Sequence, residues 1–160
     1  MFVGEQPGDR EDIEGHPFVG PAGKLLRAAM EEAGIDPDDS YITNAVKHFK
    51  YIVRGKRRIH SKPRTLEIRA CAPWLEAEIE AVHPDVVVAL GATAAQSLLG
   101  SAFRLTEHRG ELFSSPLAEH VVATVHPSSI LRAPDDAKRH DERARFVADL
   151  KRIANALKTL

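Results

Sequence analysis

Asp85-Val86-Val87-Val88-Ala89-Leu90 is a continuous apolar run behind a single acid, closed by Gly91 and followed at once by the helix-forming stretch Ala92 to Leu99. A β-branched run without polar alternation predicts a strand covered on both faces, which is the environment of a central strand in a parallel sheet. Parallel neighbours are joined by crossover helices, so helix and strand patterns should alternate on either side of it. They do. Upstream, Thr65 to Val82 reads as a helix with Leu66, Ile68, Leu75 and Ile79 inward, and Pro73 is expected to kink it or to open a fresh first turn. Tyr41 to Val46 reads as a strand, and Lys24 to Ala33 as a helix carrying Leu25, Leu26, Ala29, Met30 and Ala33 on one face and stopped by Gly34. Met1 to Val3 is a strand stub that runs into the turn Gly4-Glu5-Gln6-Pro7-Gly8. Downstream, Val121 to Val125 reads as a fourth strand and Asp141 to Leu157 as a closing amphipathic helix. The prediction is a single α/β domain over residues 1–160, a three-layer α/β/α sandwich around a central, mainly parallel four-stranded sheet.

The composition narrows the class. With 43% hydrophobic and 28% charged residues the chain can build a real core, which excludes a disordered polymer. No run reaches the roughly 18 apolar residues of a membrane span, and the first residues lack the order of a signal peptide, so cytoplasmic residence is expected. The lone cysteine, Cys71, excludes an internal disulfide. The formal net charge is only -1, but the charge is segregated. Between Ser40 and Leu66 stand Lys47, Lys50, Arg54, Lys56, Arg57, Arg58, Lys62 and Arg64 with no Asp or Glu among them. A long loop of this kind suits phosphates, though a basic stretch is also what an ordinary solvated surface looks like.

Ligands of doubly wound folds bind at the carboxyl ends of parallel strands. Residues with chemistry fall there: Glu5 and Gln6 after the first strand, Asn44 near the end of the second, and His126-Pro127-Ser128-Ser129 after the fourth. The remaining histidines His16, His83, His108, His120 and His140 are read as surface residues.

Five ordered blocks carry a family resemblance. They are Gly4-Glu5-Gln6-Pro7-Gly8-Asp9 with Glu11-Asp12; Gly15 to Leu26 with Pro17-Phe18-Val19-Gly20; Thr43-Asn44-Ala45-Val46-Lys47; Ala89 to Ala95; and His126-Pro127-Ser128-Ser129. Over nearly the whole chain they resemble the family 4 and 5 uracil-DNA glycosylases. Lys56-Arg57-Arg58-Ile59-His60 and Lys47-His48-Phe49-Lys50, together with Gln6 in the first turn, resemble the UdgX-type branch, whose members end up bonded to the DNA.

The resemblance implies a division of labour that the side-chain chemistry allows. A flipped-out or single-stranded uracil would stack on Phe18 and pair with Asn44, whose amide can accept from N3–H and donate to O4. His126 would donate to the uracil O2 as negative charge develops there. Glu5, Gln6, Asp9 and Asp12 would stabilise the sugar cation, orient a water or hold a histidine tautomer. Lys56, Arg57 and Arg58, with the amides of Ser128 and Ser129, would hold phosphates. His60 would attack the sugar C1′ after uracil leaves, with Glu5 polarising it. Two alternatives stay open on the residues alone: ordinary hydrolysis, with a water near Gln6 and Asp9 as nucleophile, and a non-enzymatic module for single-stranded or abasic DNA. A nucleotide-binding enzyme is disfavoured, because no acidic ribose reader stands at the right distance from the glycine-rich turn.

The same resemblance implies a [4Fe-4S] cluster with His48 and Cys71 at two of its four ligand positions. The other two belong to a Cys-x-x-Cys pair that does not occur in the sequence. Either residues upstream of Met1 are missing or the protein lacks the cluster, and the three-residue opening strand favours the first; the glycosylase chemistry itself is expected to need no cofactor. The expected partner is uracil-containing DNA, single-stranded at least, met by a monomer with no membrane contact.

Overall fold

The computed structural model describes residues 1–160. The elements are β1 (Phe2–Gly4), α1 (Asp9–Glu14), α2 (Pro21–Ala33), β2 (Ile42–Asn44), β3 (Tyr51–Arg54), β4 (Arg57–His60), α3 (Thr65–Val82), β5 (Val87–Leu90), α4 (Ala92–Leu99), α5 (Leu105–His108), β6 (Leu112–Phe113), β7 (Val121–Thr124), α6 (Pro127–Leu131) and α7 (Asp136–Leu157). The central sheet has five strands in the order β2-β1-β5-β7-β6, not four. The first four run parallel, and β6 adds an antiparallel edge along Val121 and Val122. Two residues cannot display a period, which is why β6 left no trace in the hydrophobic pattern.

The apolar run that predicted a doubly covered strand is doubly covered. Val87 and Ala89 join Val3, Leu75, Ile79, Leu98 and Val121 under α3 and α4, whereas Val88 and Leu90 join Leu26, Met30, Phe146 and Leu150 under α2 and α7. The alternation follows from the two-residue side-chain period of a strand. Three helices differ from expectation. Helix α2 begins at Pro21, which suits a first helical position. Helix α7 begins at Asp136 rather than Asp141, because the Asp135 carboxylate accepts from the Lys138 amide at 2.8 Å and caps an earlier turn. Helix α3 runs as one element through Pro73, and Leu66, expected inward, is 73% exposed.

The basic segment is not a loop throughout. Its middle folds into an antiparallel hairpin that pairs Tyr51 with His60 and Arg54 with Arg57, turning through Gly55 and Lys56. Tyr51-Ile52-Val53 is a strong strand-former, and all three side chains stay exposed. No helix is long and apolar enough to cross a membrane.

Candidate active site

The carboxyl ends of the parallel strands and the end of β4 farthest from the hairpin tip meet at one cavity of about 690 Å³. Glu5, Gln6, Asp9, Phe18, Asn44, His60, His126 and Ser128 all line it. Asp12, Lys56, Arg57, Arg58, Ser129, His48 and Cys71 do not. Arg10, Glu11, Lys62, Thr93 and Arg132 also line it and were not singled out from the sequence as site residues.

Asn44 and Phe18 are seated by close approach to backbone. A Cβ on Gly4 would lie 2.5 Å from Asn44 Oδ1 and 2.7 Å from Phe18 Cζ, so only glycine lets both side chains cross that strand end. A Cβ on Gly23 would lie 1.8 Å from the Phe18 carbonyl oxygen. Phe18 itself is held at φ 53, a conformation bulky residues avoid, and the packing around it sustains the strain. Its ring stacks against His126 with centroids 5.5 Å apart. Asn44 is buried, and its Oδ1 has no hydrogen-bond partner. An unmatched buried acceptor costs roughly 1–3 kcal/mol, so the amide is set to receive a donor from outside the protein.

His126 caps α6, and its tautomer is set by its neighbours. Nδ1 accepts from the Ser128 amide at 3.1 Å and stands 2.7 Å from the Ser128 hydroxyl. An amide N–H can only donate, so Nδ1 is bare and the proton of the neutral ring sits on Nε2. Burial lowers the pKa of this imidazole to about 4, against a smaller opposing pull from Glu5. A neutral donor therefore faces the cavity at ordinary pH. Ser129 donates both its amide, at 3.0 Å, and its hydroxyl, at 2.8 Å, to the His126 carbonyl. The two serine amides expected to hold a phosphate are thus already committed to His126.

His60 comes to the cavity on the hairpin arm, and residues 5 and 6 hold it there in different ways. Glu5 Oε1 stands 3.0 Å from His60 Nε2. Gln6 grips the neck of the arm: its amide nitrogen donates to the carbonyls of Lys50, at 3.3 Å, and Ser61, at 3.2 Å, and its oxygen accepts from the Lys50 amide at 3.2 Å. Arg58 ties the arm to α1, with Nε 2.6 Å from Asp9 Oδ1 and a second nitrogen 2.7 Å from Asp12 Oδ2. It also lies over the rings of Phe49 and Tyr51, 5.3 and 5.0 Å from their centroids. Arg58, expected to hold a phosphate, is therefore paired with Asp9 and Asp12, which were expected to act on the sugar or its nucleophile. Lys56 and Arg57 are exposed, and neither forms an ion pair.

His48 and Cys71 do not fit a cluster site by themselves. His48 is exposed, whereas Cys71 is buried with its sulfur accepting from the Lys47 amide at 3.4 Å. No group of three ligand-type side chains gathers anywhere in the chain. Two donors cannot close a four-ligand cluster, and no step below depends on one.

Comparison with known proteins agrees with this geometry. Residues 1–151 match the uracil DNA glycosylase superfamily. The type-4 uracil-DNA glycosylase of Thermotoga maritima is 41% identical over 133 residues, which cover 82% of this chain and 66% of that protein. That of Sulfurisphaera tokodaii is 35% identical over 158 residues, covering 94% of this chain and 69% of that one. A type-5 uracil-DNA glycosylase of Thermus thermophilus is 32% identical over 140 residues, 80% of this chain and 64% of its own length. The chain spans about two thirds of the length of the type-4 relatives it matches. With residues of all five sequence blocks lining one cavity and a match across almost its whole length, the chain belongs to the uracil DNA glycosylase superfamily.

Proposed function

We propose that this chain excises uracil from DNA and that His60 then bonds to the abasic sugar, leaving protein and DNA joined. The observation that carries the reading is the sharing of one cavity by the unpaired acceptor of Asn44 and the imidazole of His60. Uracil extruded from the stack lies on Phe18, gives its N3–H to Asn44 Oδ1 and accepts at O4 from the same amide. Cytosine presents the opposite polarity and leaves that acceptor unmatched. As the C1′–N1 bond breaks, uracil departs with the electron pair, and the Nε2–H of His126 meets the charge growing on O2.

The sugar cation left behind needs a nucleophile. With Nε2–H given to Glu5, the lone pair of a neutral His60 lies on Nδ1. Attack forms an N–C1′ bond and an imidazolium, whose remaining N–H proton passes to the Glu5 carboxylate and on to solvent. The neutral alkylated imidazole is a poor leaving group without an acid to reprotonate it, so the bond persists. Water as the nucleophile is less well supported, because both ends of the Gln6 amide are used on the arm and Asp9 is paired with Arg58.

On this reading the substrate is single-stranded DNA at least, and the protein acts as a monomer. The test is a denaturing gel with a uracil-containing strand. Wild type should give a protein–DNA band that survives detergent, and His60→Ser should release uracil with turnover and give none. Uracil release without a band from wild type leaves only hydrolysis, and DNA binding with no uracil release leaves a binding module.

A further inference from the structure

We infer that Thr93 is a positioning residue of the bonding step, acting through Glu5 on His60; the inference rests on the reading of His60 as the nucleophile. The geometry is a three-membered relay of Thr93, Glu5 and His60, all three of which line the cavity. Thr93 Oγ1 donates to Glu5 Oε2 at 2.6 Å, and the other carboxylate oxygen, Oε1, stands 3.0 Å from His60 Nε2. A carboxylate on a flexible side chain can turn about its last bond. Tying Oε2 from behind leaves Oε1 directed at the imidazole.

Thr93 can act as a fixed point because of where it sits. It is the second residue of α4, only 6% exposed, and its carbonyl accepts from the Ser97 hydroxyl at 2.8 Å. A β-branched side chain on a helix has few rotamers, so the hydroxyl direction is set by the helix itself. The same helix start also abuts the other catalytic histidine, since a Cβ on Gly91 would lie 3.2 Å from His126 Cβ. Helix α4 thus sets both the base-facing and the sugar-facing imidazoles to a common reference.

The hydroxyl has a chemical consequence as well. A short O–H···O⁻ bond stabilises the charged carboxylate. With Oε2 so tied, Oε1 holds the Nε2 proton through the approach to C1′ and takes it only once the imidazolium has formed. Without the hydroxyl, Glu5 turns more freely, which lowers the fraction of His60 presented with its lone pair outward.

The experiment measures single-turnover rates of uracil release and of adduct formation at saturating DNA. Thr93→Val keeps shape and removes the donor, Thr93→Ser keeps the donor, and Thr93→Ala is compared with Ser should the valine variant fold poorly. The expected result is about a tenfold slower adduct step in Thr93→Val, the scale of one charged hydrogen bond. Thr93→Ser should stay within about twofold of wild type. In a His60→Ser background, adding Thr93→Val should change uracil release much less, because the relay then has no terminus. Equal slowing by valine and serine would assign the effect to packing and overturn the inference, as would a wild-type adduct rate in both valine and alanine. A wild type that never forms the adduct overturns the reading of His60 itself, so the two failures are distinct.

Discussion

The two histidines that line the cavity occupy opposite kinds of ground. His126 stands at the end of a central parallel strand, between Phe18 and the Ser128 amide, and burial keeps it neutral. His60 is carried by a two-stranded arm whose side chains Tyr51, Ile52 and Val53 lie exposed, and it is held to the body through Glu5, Gln6 and the Arg58 pairs. The sheet end is built to be rigid, as an electrostatic donor must be before charge develops. The arm depends on a few polar tethers, each replaceable, and suits a group that must advance into a space only after the base has left it. Rigid and tethered halves divide the two steps of the proposed reaction.

That division can be broken from either side. The largest effect is expected at the rigid half: His126→Ala should lower the rate of uracil release by about 10²–10³-fold, the usual loss for one oxyanion donor, and a single-turnover assay reads it directly. At the tethered half, Arg58→Ala should slow adduct formation by roughly tenfold while leaving uracil release within a few-fold, because it frees the arm without touching the base pocket. Equal losses in both rates would show that the arm also shapes the base pocket.

Acidity sharpens the contrast. The folded-state pKa of His126 is lowered from 6.5 to about 4, so between those values the unfolded chain takes up a proton that the folded chain refuses. Its contribution therefore makes the protein less stable as pH falls from about 6.5 towards 4, with no effect above that window. Melting of wild type and His126→Gln across this range isolates the difference. The uracil-release step should show no limb from His126 between pH 5 and 8, since the ring stays neutral throughout. The smallest expected effect lies at the tip of the arm. Lys56→Ala and Arg57→Ala should each reduce the slope of log affinity against log salt by about 0.7 for a single strand, measured on a strand without uracil.

Much of this architecture was legible beforehand, and the parts that were not share a cause. The run Val86 to Leu90 announced a buried parallel strand, since hydrophobic pattern and burial are two faces of one physical quantity. Helix α4 was read to its exact bounds of Ala92 and Leu99 between two glycines. The hairpin was missed because its exposed strands carry no burial pattern, and β6 because two residues carry no pattern at all. At the site, Glu5, Phe18, Asn44, His60 and His126 were named in advance from their positions in ordered motifs, and they do line one cavity. Thr93 was quoted inside a motif but given no role, because a threonine near a helix start looks like any other until its partner is known.

By itself the sequence settled where the buried parallel strands lie and which family the motifs resemble, because these depend on local period and on residue type. Tertiary structure alone decided the partnerships: Arg58 with Asp9 and Asp12 across more than forty residues, Gln6 with the neck of the arm, His126 with its fixed tautomer, and Thr93 with Glu5, 88 positions apart. A hydrogen bond is specified by distances of a few tenths of an ångström and by direction. Those coordinates come into being only when distant segments pack, and no run of neighbouring residues contains them.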